Sequence, residues 1–406
     1  MYCITESRLC FFFILLVLPS KSALLCEDSS DCLTLLKFKE ELTSDSKDHL
    51  QTWNEANPLC NWTGVTCHQR LQNRVIGLEL IYMGLQGKIS PFISNLSLLA
   101  NLSLQNNGLH GQIPSSFGKL TELAFLNASS NKLEGNIPSS LHGCRSLKVV
   151  DLTYNNLSGV IPEELGWVKS LAYLALSVNS LSGVLPASLS NLTELTQLEL
   201  AVNYFTGKIP PELGALRKLE ILYLHTNYIE GSIPAAIGNC TALHQISLIE
   251  NLFSGEIPSD LFAKLKNMQK MYMSRNKLSG KIPVTLSNLS QLILFDVSLN
   301  NLEGEVPGGL GMLKNLENFY LHSNNLGGGS GSIPSSLGKL LNLQRLYLGN
   351  NRIIGPVPDE LGMMSSLGVL DFGNNSIGGT IPPSLGNLSQ LRYLYLSRNF
   401  LRNVSN

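Results

Sequence analysis

Charged side chains are scarce in this sequence. Of its 406 residues, 15% are Asp, Glu, Lys or Arg, whereas an average globular domain has about 25%. The two signs nearly cancel and leave a formal net charge of -1. The chain therefore lacks the basic excess that attracts nucleic acid or anionic lipid, and we expect no nucleic-acid partner.

Long apolar runs are also missing, apart from one near the N-terminus. Residues 9–18 form an unbroken apolar run, which is too short to span a bilayer because a spanning helix needs about 20 residues. Arg8 precedes the run, and Ser20-Lys21-Ser22 after it provides the small residues of a cleavage site. These features predict a signal peptide over residues 1–22, with an uncleaved anchor as the alternative, and a secreted or cell-surface protein.

Catalytic and metal-binding patterns are lacking as well. No Cys-x-x-Cys pair occurs, and the seven His residues form no pair with metal-ligand spacing. Gly118-Lys119 and Gly338-Lys339 are similar to part of a phosphate-binding loop, but each is followed by Leu and lies in a repeated segment. We therefore expect no enzyme activity, no cofactor and no metal in this chain.

What the sequence does contain is a repeat of about 24 residues. The pattern L-x-x-L-x-L-x-x-N-x-L-x-G-x-I-P recurs around the asparagines at positions 107, 131, 155, 179, 203, 227, 251, 276, 300, 324, 351, 375 and 399. An earlier copy begins at Val75 and has Met83 at the asparagine position, and the last copy lacks its Gly-x-Ile-Pro. This period predicts a solenoid of about fourteen stacked units over residues 75–406, the last incomplete.

Each fixed position of the repeat has a physical reason. Alternating leucines predict a short strand with apolar side chains on one face. The asparagine turns inward, where its amide can satisfy backbone groups left open after the strand. Glycine permits a backbone that a Cβ would forbid, Ile-Pro begins a second extended stretch, and a short helical segment such as Ser188 to Leu192 returns on the convex side. The fold class is therefore an α/β repeat solenoid with a parallel sheet on its concave face.

The mature chain resembles the ectodomains of plant leucine-rich-repeat receptor kinases. The Gly-x-Ile-Pro repeat is specific to that class, and Leu35 to Lys39, Leu50, Trp53 and Cys60 to Cys67 match its N-terminal cap. The closest similarity is to the group that contains immune receptors. The resemblance implies a cap over residues 23–74, a Cys60–Cys67 disulfide, a peptide or protein ligand for defence or developmental signalling, and a co-receptor kinase with a shorter leucine-rich-repeat ectodomain. A plasma-membrane location is implied if the full-length protein carries a transmembrane helix.

Two features depart from that class. The chain lacks the C-terminal cysteine cap, the transmembrane helix and the kinase, as a fragment or a truncated gene product would, and residues 327–332 are a Gly-Ser insert that lengthens one repeat. Secreted inhibitors of cell-wall-degrading enzymes have similar solenoids, so such an inhibitor is the alternative function.

The remaining cysteines divide into two pairs. Cys26 and Cys32 could pair with each other, although the class does not require it. Cys144 and Cys240 occupy the same repeat position four units apart, which is about 19 Å along the sheet and too far for a disulfide. We therefore expect Cys144 and Cys240 to be buried free thiols.

Candidate ligand-binding residues flank the strand leucines on the concave face. Tyr and Arg are enriched at binding hot spots because they are large and partly polar. The candidate site comprises Tyr223, His225, Tyr272, Arg275, Asp296, Tyr320, His322, Arg345, Tyr347, Asp371, Tyr395 and Arg398. The alternative interpretation is that Tyr and Asp simply suit this strand position.

Eleven Asn-x-Ser/Thr sequons predict glycosylation of a secreted chain. They are Asn61, Asn95, Asn101, Asn127, Asn156, Asn191, Asn239, Asn288, Asn374, Asn387 and Asn403. Five of them lie twelve residues after the repeat's key position, where Asn-Leu-Ser/Thr also partly reflects the consensus, and we expect these on the convex side. Asn101 and Asn127 fall on concave strands, so the ligand is expected further along, from about Tyr223 to Tyr395.

Overall fold

The structure, a computed structural model, describes residues 30–45, 47–71, 74–329 and 331–402. The predicted signal peptide lies outside these residues. Within them the chain forms stacked repeats, each with a strand in a long inner sheet, a second extended stretch and a short helix. The predicted leucine-rich-repeat solenoid is confirmed.

The inner sheet has fifteen strands in sequence order. The first belongs to the cap and is antiparallel to the second, and the next fourteen are mutually parallel and define repeats 1 to 14. They are Val65–Cys67, Val75–Glu79, Asn101–Ser103, Phe125–Asn127, Val149–Asp151, Tyr173–Ala175, Gln197–Glu199, Ile221–Tyr223, Gln245–Ser247, Lys270–Tyr272, Leu294–Asp296, Asn318–Tyr320, Arg345–Tyr347, Val369–Asp371 and Tyr393–Tyr395.

A second set of strands begins with the cap strand Leu42–Ser44 and continues with one strand after the turn of each repeat. The seven-stranded outer sheet contains Leu42–Ser44, Gln86–Lys88, Gly108–Gly111, Lys132–Gly135, Asn156–Gly159, Ser180–Val184 and Tyr204–Thr206. Shorter groups continue it: Glu230–Gly231 with Leu252–Glu256 and Lys277–Ser279, then Glu303–Gly304 with Asn325–Leu326, then Ile354–Gly355 with Ser376–Thr380 and Phe400–Arg402.

The convex side is built from short helices, most of them single 3₁₀ segments. The α-helices are Ser30–Glu40 in the cap and Ser259–Lys264 in repeat 8. The 3₁₀ helices are Leu59–Asn61, Pro91–Asn95, Ser115–Lys119, Ser139–Gly143, Glu163–Trp167, Ala187–Asn191, Pro211–Ala215, Ala235–Asn239, Val284–Asn288, Gly308–Met312, Ser335–Lys339, Asp359–Met363 and Pro383–Asn387. A proline generally precedes these helices, since its fixed φ suits a helix start.

The inward asparagines join neighbouring repeats, as predicted. Asn203 is 6% exposed. Its Oδ1 accepts from the Leu181 amide of the preceding repeat at 3.0 Å, and its Nδ2 donates to the carbonyls of Leu176, Leu200 and Ala201 at 3.0 to 3.3 Å. One side-chain amide therefore joins backbone groups of two repeats, and it is the acceptor for the buried Leu181 amide.

The N-terminal cap covers the first repeat. Its Cys60–Cys67 disulfide is confirmed, and the rings of Trp53 and Trp62 stack beside it at 5.5 Å. The buried carboxylate of Asp31 accepts from the Val75 amide at 2.8 Å and from Arg74 Nε at 3.2 Å. The cap thus provides polar partners for the edge of the first repeat strand, which would otherwise be open.

The other cysteines agree with the sequence where the structure describes them. Cys144 and Cys240 are buried free thiols, and burial raises the pKa of each thiol to about 11. Cys32 is disulfide-bonded, whereas Cys26 lies outside the described residues, so the Cys26–Cys32 pairing remains a prediction.

Candidate functional site

The concave face is a set of parallel side-chain columns. The last residue of each inner strand forms a middle column, in which each member is the register partner of the next. From repeat 7 onward this column reads Tyr223, Ser247, Tyr272, Asp296, Tyr320, Tyr347, Asp371 and Tyr395. Six of the candidate residues are in the half-buried part of this column, and Tyr395 in the last repeat is exposed.

Repeats 11 and 12 bring three of the candidate rings together. Tyr320 and Tyr347 stack with ring centroids 5.2 Å apart, and His322 lies 5.8 Å from Tyr347 and 6.5 Å from Tyr320. Arg345 lies beside this aromatic cluster, with Nη1 donating to Asn318 Oδ1 at 2.9 Å. The Gly-Ser insert does not disturb the cluster, because Tyr320 and Tyr347 remain in strand register across it.

A second tyrosine–histidine pair occurs in repeat 7. Tyr223 and His225 meet edge to face at 5.9 Å. Burial lowers the pKa of His225 and of His322, and neighbouring carboxylates only partly oppose this shift. The Nδ1 atoms of both rings are buried and lack a hydrogen-bond partner, so burial disfavours the charged form of each ring.

The two candidate aspartates are fixed by short local hydrogen bonds. Asp296 Oδ1 accepts from the Ser298 amide and hydroxyl at 3.0 and 2.7 Å. Asp371 Oδ1 accepts from the Gly373 amide at 2.9 Å. A Cβ at Gly349 would lie 2.7 Å from Asp371 Oδ2, so glycine at position 349 leaves room for this carboxylate.

Three candidate residues lie at the margins of the cluster. The Tyr272 side chain is half-buried in repeat 9, and burial and the nearby Asp296 raise the pKa of its hydroxyl. Arg275 and Arg398 were expected beside the middle column, but they occupy a left-handed turn after the strand, with φ of 56° and 58°. Both side chains are exposed there, and their part in ligand binding remains a prediction.

Two further sets of concave residues lie outside the candidate list. The flanking columns carry half-buried apolar side chains at Ile221, Ile249, Leu294 and Val369, which a column-by-column alignment of the repeats could have found. In repeats 4 to 6 the hydroxyl of Tyr173 lies 3.4 Å from Glu199 Oε1. Burial and the nearby Asp151 raise the pKa of Glu199.

The sequons fall on several surfaces. Asn95, Asn191, Asn239, Asn288 and Asn387 each end a convex helix and are exposed. Asn101 and Asn127 lie on concave strands, Asn61 lies in the cap, Asn156 begins an outer strand, and Asn374 occupies a left-handed turn. Asn403 lies outside the described residues. Glycosylation at all of these sites remains a prediction.

The described residues contain neither a metal-binding cluster nor a membrane-spanning helix. No group of three or more His, Cys, Asp or Glu side chains in that part of the chain could hold a metal ion. Over the same ranges, no helix has both the length and the apolar character needed to cross a membrane.

Family models match the cap and most of the repeats. A leucine-rich-repeat N-terminal domain matches residues 28–68, and leucine-rich-repeat models match 98–120, 122–144, 145–205, 218–240, 267–289, 315–340 and 337–401. The chain therefore belongs to the leucine-rich-repeat family, and its relatives are plant leucine-rich-repeat receptor kinases.

Individual relatives are receptors. The LRR receptor-like serine/threonine-protein kinase EFR of Arabidopsis thaliana is 44% identical over 81 residues, which is 20% of this chain and 8% of that protein. The kinases match this chain only in the leucine-rich-repeat region, and the chain resembles the non-catalytic ectodomains of such receptors.

Solved structures give the same result over a longer stretch. The Arabidopsis receptor kinase HAESA, solved in complex with the peptide hormone IDA and the co-receptor SERK1, is 34% identical in sequence with a TM-score of 0.75. The match covers 91% of this chain and 66% of the HAESA chain. The plant peptide hormone receptor RGFR1, in complex with RGF2, is 33% identical in sequence with a TM-score of 0.71. The match covers 84% of this chain and 65% of the RGFR1 chain. This chain thus spans about two thirds of those solved chains.

Proposed function

We propose that this chain is the extracellular ligand-recognition domain of a plant receptor-like kinase or receptor-like protein. It binds a peptide or protein on the concave face of repeats 7 to 14, in defence or developmental signalling. A co-receptor kinase with a shorter leucine-rich-repeat ectodomain joins the complex. The observation that carries this proposal is the aromatic cluster of Tyr320, His322 and Tyr347 with Arg345 beside it.

The cluster has the properties of a binding hot spot. Its rings are half-buried, so a ligand can complete their burial at a small further entropic cost. The Arg345 guanidinium can donate to carboxylate or carbonyl groups of a ligand. Solved structures of HAESA and RGFR1 hold peptide hormones, which supports a peptide as the ligand class.

The test uses peptides displayed on phage and selected on the intact secreted domain. Random peptides of about 15 residues are long enough, because the seven strand spacings of about 4.8 Å between repeats 7 and 14 match only about 10 extended residues. We expect the double variant Tyr320→Ala, Tyr347→Ala to bind the selected peptides at least about tenfold more weakly, because it removes central anchors of the interface.

The outer face provides a matched control. Tyr204 and Tyr228 also stack, with centroids 6.2 Å apart, and about half of each side chain is exposed. We expect Tyr204→Ala with Tyr228→Ala to leave binding unchanged. If the outer pair abolished binding and the concave pair did not, the ligand would lie on the outer face and the proposal would be wrong.

A further inference from the structure

Charge is distributed unevenly along the concave face. Four positions per repeat line this face and its rim: the last residue of the inner strand, the residue two before it, and the second and third residues after it. In repeats 1 to 8 these positions contain no Lys or Arg, and their acidic members are Glu79, Asp151, Glu199 and Glu250. In repeats 9 to 14 the same positions hold Lys270, Arg275, Arg345 and Arg398, with Asp296 and Asp371.

The acidic end is not neutralised by the protein itself. Asp151 accepts from the Thr153 hydroxyl at 2.8 Å, Glu199 from the Tyr173 hydroxyl, and Glu250 from the Thr226 hydroxyl at 3.1 Å. The ion pairs found among the described residues, Arg74–Asp31 and Lys218–Glu194, involve none of these carboxylates. Their negative charge is therefore available to a ligand.

Asp151 and Glu199 lie two strands apart in the middle column, and the Tyr173 hydroxyl of the intervening strand donates to Glu199. Both are register partners of Ala175, one on each side. The Ala175 side chain is buried and short, so no side chain of the middle column rises between the two carboxylates. A cationic side chain of a ligand can reach both of them from the concave face.

The basic end is similarly unpaired. Arg345 donates to the neutral Asn318 side chain, and none of Lys270, Arg275, Arg345 and Arg398 takes part in the ion pairs found among the described residues. Asp296 and Asp371 reduce the positive charge here but do not cancel it, since four cationic side chains face two carboxylates.

The two ends are too far apart to neutralise each other. Asp151 and Arg345 are eight strand spacings apart, which is about 38 Å at roughly 4.8 Å each. Salt screens charges over about 8 Å at physiological ionic strength. Each end therefore acts on a different part of a ligand that lies along the face, and about 12 extended residues cover the distance.

We propose that the ligand is a peptide segment with opposite charges at its two ends. Its basic stretch contacts repeats 4 to 6 around Asp151 and Glu199, and its acidic stretch contacts repeats 12 to 14 around Arg345 and Arg398. This rests on the proposed function, and it extends the binding face three repeats beyond the part expected from the sequence.

The same displayed library of random peptides tests this assignment. We expect selected peptides to carry Lys or Arg near one end and Asp or Glu near the other, separated by about 12 residues. We expect the double variant Asp151→Lys, Glu199→Lys to bind these peptides about tenfold or more weakly than the wild type. Higher salt should reduce this difference in affinity between variant and wild type. Glu230→Lys with Glu256→Lys makes the same change in net charge at exposed positions of the outer face and should have little effect.

The outcomes separate this inference from the proposed function. If peptides lose binding to the Tyr320→Ala, Tyr347→Ala variant but show no charge separation and tolerate Asp151→Lys with Glu199→Lys, the inference alone is overturned. If peptides bind all of the concave variants normally, the proposed function fails as well. A circular-dichroism melt of each variant checks that the lysine substitutions leave the domain folded.

Discussion

At the scale of the single residue, the inward asparagine links two repeats through one side chain. Replacing Asn203 with Leu removes its four hydrogen bonds and leaves the Leu181 amide buried without its acceptor. The Leu176 carbonyl keeps the Asn179 amide as a donor. We expect Asn203→Leu to destabilise the domain by about 1–3 kcal/mol. Thermal denaturation measures this, with Asn301→Leu at an exposed position of repeat 10 as the control. Equal melting midpoints for the two variants would contradict the role of the amide.

The half-buried His322 makes stability depend on pH. Burial lowers the pKa of His322 below its ordinary value of 6.5, although Asp296 and Asp371 partly oppose this. The unfolded chain therefore binds a proton more readily than the native one, so unfolding takes up protons and stability falls as pH drops below about 6.5. We expect His322→Gln to reduce the loss of melting temperature between about pH 7 and pH 5.

The control for this pH dependence is His110→Gln, which changes an exposed histidine on an outer strand. That variant should keep the wild-type slope of melting temperature against pH. Identical slopes for His322→Gln and the wild type would show that the His322 imidazole does not contribute.

At the scale of the element, close contact between convex helices explains a glycine of the repeat. A Cβ at Gly166 would collide with the carbonyl oxygen of Ser188 in the next helix. We expect Gly166→Ala to cost about 1–3 kcal/mol, as overpacking does. Gly386 occupies the same repeat position with nothing within 4 Å of the added Cβ, so Gly386→Ala should be neutral or slightly stabilising. Urea denaturation that gave both variants the same midpoint would rule out the collision.

The inner strands and the inward asparagines could be predicted from the sequence, because each depends on side-chain chemistry that recurs at a fixed spacing. The cap disulfide was predicted from the resemblance of the cap to that of plant leucine-rich-repeat receptor kinases. The left-handed turn before each asparagine could not. Residues as different as Val202, Glu250 and Arg275 adopt φ near 57° there. Tertiary hydrogen bonds hold them, since the Arg275 carbonyl accepts from the Asn251 amide of the preceding repeat, and their side chains carry no signal.

The candidate site was predictable only as a list of positions. The repeat shows which residues belong to the middle column. The contacts within that column depend on which aromatic side chains occur in adjacent strands. Tyr320 and Tyr347 are 27 residues apart across the insert, and register alone brings them together. The strand Leu42–Ser44, which pairs antiparallel with Gln86–Lys88, also lacked a sequence signal, because it is short and belongs to no repeat.

At the scale of the whole molecule, the cap determines how the N-terminal end of the stack behaves. Loss of the Cys60–Cys67 disulfide should lower the free energy of unfolding by about 2–3 kcal/mol, since the loop it closes is short. Each repeat contacts only its neighbours, so we expect Cys60→Ala to loosen repeats 1 and 2 and leave repeats 10 to 12 unchanged. Hydrogen exchange resolved by peptide measures this gradient. A uniform loss of protection, or thiol mapping that found both cysteines free in the wild type, would contradict it.

The Tyr-Leu-His sequence occurs at residues 223–225 and again at 320–322, four strand spacings apart. That interval is about 19 Å, and six residues of an extended peptide advance about 20 Å. Four repeats of the solenoid and six residues of an extended ligand therefore span nearly the same distance between these two sites. A ligand with the same side chain at positions six apart would meet the same pair of rings twice, whereas one inserted residue between those positions would leave the second contact out of phase.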